Sequence, residues 1–245
     1  MRLLICILAL CLSGPLAAAG LTVSAASSLT ESFREIAGAF EKANPGSKVD
    51  LNFAASGVLL QQISRGAPVD VFASADEATM DQAVSQKLVD PATRQVFAAN
   101  QLWVVVPPKA TAVPTTLAAL AGPGVKRIAI GNPDSVPVGR YARGALQKAG
   151  LWEQLQGKAI TTQNVRQSLD YVARGEVDAG FVYATDAQAM PDRVKRAFEV
   201  TGQSITYPLA AVRTSARAAE ARRFIAFVQS PAGQAILRRH GFSQP

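Results

Sequence analysis

Small and hydroxyl residues stand at four points where a strand-like segment leads into a helix-like one. Ser28 and Ser56 occupy two of these points, and the segments PVG (137–139) and NV (164–165) occupy two later ones, although Val138 and Val165 by themselves are typical of core residues. The first turn of a helix has backbone N–H groups without partners and the positive end of the helix dipole. Where several such turns meet, they form a site for a small oxyanion without any lysine or arginine. The pattern therefore indicates anion binding by neutral donors.

Tyr183 is a further candidate, because it ends a short apolar segment. A tyrosine at such a place is either a core residue with a satisfied hydroxyl or a ligand contact, and the pattern leaves both open. Catalysis has less support. A nucleophile such as Ser28 would need a base, but the single histidine, His240, lies five residues from the end and no Gly-x-Ser-x-Gly segment occurs. We therefore expect a protein that is not an enzyme.

The composition excludes several classes of protein. Hydrophobic residues make up 49% of the 245 residues and charged residues 18%, which is typical of a globular chain. The net charge is +7, but Lys and Arg are mostly dispersed among Asp and Glu, so we expect no nucleic-acid partner. Cys6 and Cys11 both lie within the first dozen residues. A disulfide framework and a histidine-rich metal site are therefore excluded from the rest of the chain.

The first residues have the pattern of a signal peptide. Arg2 precedes the apolar residues 3–12, and the small residues 17–19 resemble a cleavage site before Gly20. The apolar segment is about half of the ~20 residues that span a bilayer. We predict that residues 1–19 are removed and that the mature protein is periplasmic.

From Leu21 onward, short apolar segments alternate with segments of helical periodicity, which predicts an α/β fold. Ser28 and Glu31 have the spacing of a capping box, and Asp76 is placed to cap a later helix. Strands are also predicted at residues 21–23, 49–53, 69–73, 102–106, 128–130, 179–183 and 205–212. Helices are predicted over residues 29–40, 58–65, 141–149 and from 164, and at residues 218–229 and 231–239, the last capped by Ser230. A change in character near Asn100 predicts two lobes: residues 20–99 plus 207–245, and residues 100–206.

Seven segments carry a resemblance to a known family. They are AASSLT (25–30), FAASG (53–57), GAPVDVFASAD (66–76), GNPD with VPVGRYA (131–142), NVR (164–166), FVYATD (181–186) and SPAGQAILRRHGF (230–242). In this order they resemble the periplasmic molybdate-binding proteins of ABC transporters, which are type II periplasmic solute-binding proteins. The resemblance extends from Leu21 to Phe242, nearly the whole mature chain.

The resemblance implies a fold of two lobes with a hinge between them, each lobe a mostly parallel sheet flanked by helices. It implies that the lobes close over molybdate or tungstate and that a membrane permease of an ABC importer receives the anion. The implied ligand contacts are two serine hydroxyls, two backbone amides and one tyrosine hydroxyl, carried by Ser28, Ser56, Val138, Val165 and Tyr183. Molybdenum enters only as the bound oxyanion at these residues, no cofactor is implied, and the protein is expected to be a monomer.

Three other functions remain open at this point. The anion could be sulfate or another tetrahedral oxyanion. An amino or organic acid could be bound instead, if Arg140 or Arg166 pointed into the cleft and clamped a carboxylate. An exported hydrolase would use Ser28 or Ser56 with a carboxylate such as Asp70.

Overall fold

The structure is a computed structural model and describes residues 20–245. The predicted signal peptide, residues 1–19, lies outside the described residues. The strands are β1 (Leu21–Ala26), β2 (Val49–Ala54), β3 (Val71–Ala73), β4 (Gln95–Val106), β5 (Ile128–Gly131), β6 (Ala159–Thr162), β7 (Ala179–Tyr183) and β8 (Lys195–Ala211). The α-helices are α1 (Thr30–Ala43), α2 (Ser56–Ser64), α3 (Glu77–Ser85), α4 (Pro137–Lys148), α5 (Trp152–Leu155), α6 (Val165–Ala173), α7 (Ala184–Ala189), α8 (Ala218–Gln229) and α9 (Pro231–Arg239). Among the helices of residues 20–245, none combines the length and hydrophobicity that crossing a bilayer requires.

The strands of this part of the chain form one sheet in the order β2-β1-β3-β8-β4-β7-β5-β6. β1 pairs in parallel with β2 and β3, and β5 pairs in parallel with β6 and β7. Between these two parallel groups lie β8 and β4, which are antiparallel to each other and to their outer neighbours. The α/β fold predicted from the sequence is confirmed. It consists of two parallel groups of strands, flanked by helices and joined by two long strands.

The two long strands start earlier than the sequence predicted. β4 begins at Gln95 instead of residue 102, and β8 begins at Lys195 instead of residue 205. The added segments contain exposed residues, so their apolar pattern is weak, and pairing with the opposite strand holds them in place. The pairing shifts midway, because Asn100 lies opposite Ile205 whereas Leu102 lies opposite Val200.

Helix α1, near the start of the described residues, packs against helix α8, near the end of the chain. Phe33 and Phe40 are fully buried on one face of the helix. The Phe33 ring lies 6.2 Å from that of Phe224 in α8, and the Phe40 ring lies 5.3 Å from it, both in edge-on contact. Such aromatic pairs contribute about 0.5–1.5 kcal/mol each beyond the burial of area. The C-terminal helices therefore pack on the first part of the chain.

The helix ends test three capping predictions. Asp76 caps α3 by accepting from Thr79 N at 3.1 Å, and Ser230 caps α9 by accepting from Gly233 N at 3.2 Å, so these two are confirmed. The capping box at Ser28 is wrong. Ser28 lies in a 3-10 turn before α1, and its hydroxyl contacts Tyr207. Glu31 instead pairs with Arg166 in α6, a partner that local spacing cannot reveal.

Candidate functional site

A small cavity lies where helix starts from the two halves of the sheet meet. Its lining residues are all uncharged: Ala26, Ser27, Ser28, Ala55, Ser56, Ala75, Val136, Pro137, Val138, Val165 and Tyr183. The five residues predicted from the sequence are all among them. The cavity volume is about 10 Å³, close to the space that one water molecule needs. Pockets for drug-sized organic molecules have volumes of roughly 300–1,000 Å³, so this cavity has no room for a ligand of that size.

The parallel strands bring the helix starts together. Ser56 is the first residue of α2, after β2, and Val165 is the first residue of α6, after β6. Val138 is the second residue of α4, which follows β5. The N–H groups of these positions have no acceptor within their own helix. Within each parallel group the carboxyl ends of the strands lie at one edge, where ligands of such sheets bind. The two groups run in opposite directions, and the helix starts at these two edges meet at the cavity.

A close backbone contact joins the two halves beside the cavity. The N–H of Gly57 donates to the carbonyl of Ser135 at 3.0 Å. A Cβ atom at residue 57 would lie 2.6 Å from that oxygen, closer than any real contact, so only glycine fits here. The start of α2 is thereby held against the segment that precedes α4.

The hydroxyls of Ser28 and Ser56, two of the three serines that line the cavity, already contact the protein. Ser56 Oγ accepts a hydrogen bond from the N–H of Ala75 at 3.0 Å. Since that donor is a backbone amide, the hydroxyl proton of Ser56 is free for another acceptor. Ser28 Oγ lies 3.0 Å from the hydroxyl of Tyr207, which is itself fully buried.

Tyr183 contributes an unpaired hydroxyl. Its side chain is 1% exposed, and its Oη has no hydrogen-bond partner among the described residues. An unsatisfied buried hydroxyl costs about 1–3 kcal/mol, so this donor is open to an acceptor that enters the cavity. Burial raises the pKa of Tyr183 well above its ordinary value, which keeps the hydroxyl protonated as a donor.

The two arginines near the cavity are both turned away from it. Arg140 Nε donates to Asp76 Oδ2 at 2.7 Å, and Arg140 Nη2 donates to Thr79 Oγ1 at 2.6 Å. Arg166 pairs with Glu31 and lies 3.0 Å from Asp186 Oδ1 through its Nε. Both guanidinium groups are thus held by carboxylates outside the lining, which argues against an arginine clamp for an organic acid.

The candidate catalytic residues serve the structure. Asp70 accepts from Thr22 N at 2.8 Å and from the hydroxyl of Ser215 at 2.6 Å. His240 ends α9 and contacts Glu35 on the surface at 2.8 Å. No acid or histidine of residues 20–245 lines the cavity. In the same part of the chain, no group of three His, Cys, Asp or Glu residues is placed to hold a metal ion.

Sequence reasoning missed the contacts behind the cavity. Tyr207 and Asn100 support Ser28, and Asp186 lies below Tyr183, whose N–H donates to Asp186 Oδ2 at 3.1 Å. No local pattern marks Tyr207, which lies in the middle of β8. The three-residue spacing of Tyr183 and Asp186 at a helix start was the one signal that could have found Asp186.

The buried carboxyl of Asp186 predicts a specific pH dependence. Burial raises its pKa from 3.8 to about 6, although Arg166 and the Tyr183 N–H act in the opposite direction. The folded protein therefore holds this proton more tightly than the unfolded chain. The contribution of Asp186 to the free energy of unfolding is full below the lower pKa and falls as the pH rises to the higher one.

We expect the free energy of unfolding of the wild type, minus that of Asp186→Asn, to fall by about 3 kcal/mol across this interval. Urea denaturation of both proteins at pH 4 and at pH 7 measures it. The subtraction removes the effect of other groups, such as Glu35 on the surface. A difference that stays constant with pH would contradict the prediction.

Comparison with known proteins agrees with this fold. The profile of the bacterial extracellular solute-binding protein family matches residues 21–243. The molybdate-binding protein ModA of Escherichia coli is 39% identical over 232 residues, covering 91% of this chain and 88% of that protein.

Two solved structures share the fold. The periplasmic molybdate-binding protein of Azotobacter vinelandii superposes with a TM-score of 0.81 at 28% identity, covering 92% of this chain and 99% of that one. The sulfate-binding protein SubI of Mycobacterium tuberculosis also has a TM-score of 0.81, at 18% identity, covering 92% of this chain and 86% of that one. The second likeness shows the fold alone. From the family profile and the relative in Escherichia coli, this chain belongs to the bacterial extracellular solute-binding protein family.

Proposed function

We propose that this protein captures molybdate, and tungstate as well, in the cavity between the two halves of its sheet. The observation that carries the proposal is the set of donors around one cavity, with the buried Tyr183 hydroxyl unpaired. The contacts are the hydroxyls of Ser28, Ser56 and Tyr183 and the N–H groups of Val138 and Val165. The relatives named as molybdate-binding proteins support this choice of anion.

Neutral donors are sufficient for tight binding of a dianion. Hydrogen bonds to a charged group contribute about 1.5–3 kcal/mol each, so five of them give roughly 8–15 kcal/mol before the cost of dehydration. The starts of α2, α4 and α6 add the positive ends of their dipoles. A dissociation constant between about micromolar and nanomolar, ~8–12 kcal/mol, is consistent with these values.

Selectivity follows from the direction of the hydrogen bonds. Because Ser56 accepts from Ala75 N, its hydroxyl offers a proton to the cavity. A site of donors favours a fully deprotonated dianion and disfavours hydrogen phosphate, whose O–H would find no acceptor. Sulfate is also a fully deprotonated dianion, so the donors alone do not exclude it. Size must exclude sulfate, because the bonds from the central atom to oxygen are longer in molybdate and tungstate.

Calorimetric titration at constant ionic strength, with molybdate, tungstate, sulfate and phosphate in turn, tests the proposal. We expect one-to-one binding of molybdate and tungstate that is much tighter than that of sulfate. Tight binding of sulfate instead would keep the oxyanion cavity and change the ligand. No binding of any of the four anions would refute the neutral-donor site.

The Tyr183→Phe variant tests the unpaired hydroxyl. It removes one donor to a charged ligand and leaves the ring in its contact with Tyr207, so we expect molybdate binding to weaken by about 1–3 kcal/mol. The matched control is Tyr171→Phe, which removes a hydroxyl that contacts Gln167 on the outer part of α6. Titration should show an unchanged affinity in the control. Equal affinities in both variants would remove Tyr183 from the site.

We further propose that the cavity closes by a hinge between two lobes, residues 20–99 plus 207–245 and residues 100–206. The register shift between Asn100 and Leu102 lies at this boundary on β4, and it supports a bend there. Arg140 with Asp76 and Arg166 with Glu31 join residues of the two proposed lobes. Small-angle scattering with and without molybdate tests the hinge, with a smaller radius of gyration expected when molybdate is bound.

The remaining steps concern location and delivery. We propose that residues 1–19 direct export to the periplasm, that the mature chain is a monomer, and that it passes the anion to the membrane permease of an ABC importer. A relative in Bacillus subtilis named as a putative ABC transporter substrate-binding lipoprotein, 34% identical, supports this role. Mass spectrometry of the exported protein should give Gly20 as its first residue. Molybdate uptake by cells that carry the importer should require this chain.

A further inference from the structure

Behind Ser28, a buried chain of hydrogen bonds crosses from β4 to β8. Asn100 Nδ2 lies 3.2 Å from the hydroxyl of Tyr207 and 2.9 Å from that of Thr185. Tyr207 Oη in turn lies 3.0 Å from Ser28 Oγ. Asn100 is 9% exposed, Ser28 is 3% exposed and Tyr207 is fully buried, so water does not compete for these groups.

Asn100, where this series of hydrogen bonds begins, determines which atom donates in each bond. The N–H of Gln101 donates to Asn100 Oδ1 at 2.9 Å, and a backbone N–H can only donate. The amide oxygen of Asn100 therefore faces Gln101, and its NH2 group faces Tyr207. Tyr207 Oη accepts from this NH2 group, and its single proton is left for Ser28 Oγ.

The same assignment of donors determines what Ser28 offers to the cavity. Because Ser28 Oγ accepts from Tyr207, the hydroxyl proton of Ser28 has no acceptor among the described residues and is free for the cavity. Burial raises the pKa of Tyr207 well above its ordinary value, so this phenol stays protonated. The hydroxyl proton of Ser56 is free as well, because Ser56 Oγ accepts from the N–H of Ala75.

We propose that Tyr207 and Asn100 are positioning residues that hold the Ser28 hydroxyl as an obligatory donor to the bound anion and thereby exclude anions that carry a proton. This inference rests on the proposed function and adds residues that do not line the cavity. Ser28 alone could rotate and accept from an O–H of phosphate. With Tyr207 donating to it, Ser28 could accept from phosphate only by turning its own proton to a place where no described residue offers an acceptor.

Tyr207→Phe removes the donor and keeps the ring, which packs edge-on against Tyr183 at 5.8 Å and Phe242 at 5.3 Å. We expect its molybdate affinity to fall about tenfold, the effect of one hydrogen bond. The affinity for inorganic phosphate should stay the same or rise, so the ratio of the two affinities narrows. The matched control, Tyr171→Phe, should leave both affinities unchanged.

We call the action of Asn100 on Ser28 through Tyr207 the relay. A double-mutant cycle distinguishes this relay from a merely structural role of the two residues. If Asn100 acts through Tyr207, then Asn100→Ala weakens molybdate binding in the wild type but adds nothing in the Tyr207→Phe background. Calorimetry of the four proteins with molybdate and phosphate, with thermal unfolding to verify folding, measures this coupling. If Tyr207→Phe folds poorly, the molybdate and phosphate affinities of Asn100→Ala alone still test the relay. The ratio of the molybdate affinity to the phosphate affinity must be smaller in Asn100→Ala than in the wild type.

The outcomes distinguish this inference from the proposed function. Equal losses for molybdate and phosphate, additive effects in the cycle, or an unchanged molybdate affinity in both single variants would each overturn the relay while the wild type still binds molybdate. A wild type that binds sulfate in preference to molybdate refutes the ligand, and the same cycle then tests the relay with sulfate. A wild type that binds no anion refutes both.

Discussion

Gly139→Ala is expected to destabilise the protein by about 3 kcal/mol and to weaken molybdate binding, because the first turn of α4 must move. A Cβ atom at residue 139 would lie 1.9 Å from the carbonyl oxygen of Gly131, at the end of β5. Both atoms are attached to backbone, so no side-chain rotation relieves the clash. The helix start would shift away from β5 and carry the N–H of Val138 with it.

Gly144→Ala in the same helix is the matched control. A Cβ atom there meets nothing within 4 Å, and alanine is favoured over glycine in a helix by about 1 kcal/mol. We therefore expect the control to be as stable as the wild type or more stable, with unchanged molybdate affinity. Urea denaturation and calorimetric titration of both variants test this. A Gly139→Ala protein with wild-type stability would show that the contact of α4 with β5 is less tight than described.

Arg166→Met is expected to lower the free energy of unfolding by about 3–5 kcal/mol at neutral pH. Asp186 is fully buried, and Arg166, with an 18% exposed side chain, is the cation beside it. Without Arg166, the carboxylate must either stay charged without a partner or take up a proton. The loss should therefore shrink below about pH 6, where Asp186 is already protonated.

Two further variants test this account of the ion pair. Arg166→Met with Asp186→Asn should be more stable at neutral pH than Arg166→Met alone, because asparagine is neutral and still accepts from Tyr183 N. Arg174→Met is the surface control, since Arg174 and Glu176 are 62% and 47% exposed and such a pair contributes only about 0–1 kcal/mol. Equal losses for Arg166→Met and Arg174→Met in urea denaturation would contradict the prediction.

Much of the local structure could be predicted from the sequence, because its signals lie within a few residues of each other. The last two helices begin and end where the sequence predicted, since Ser230 and Pro231 mark a start that needs no distant partner. The early starts of β4 and β8 could not be predicted. Their first residues, such as Gln95 and Lys195, are exposed, and only the pairing of the two strands makes them part of the sheet.

In the candidate site, too, the features that depend on near neighbours in the sequence could be predicted, and those that depend on distant contacts could not. The sequence by itself determined where helices start and which residues offer neutral donors there, because a cap or a first turn depends on its near neighbours. The tertiary structure alone decided that these starts surround one cavity and that Arg140 and Arg166 turn away from it. It also decided the partner of Ser28, which lies 179 residues away in Tyr207. A contact over that distance exists only once β3 has paired with both β1 and β8, and no short pattern encodes it.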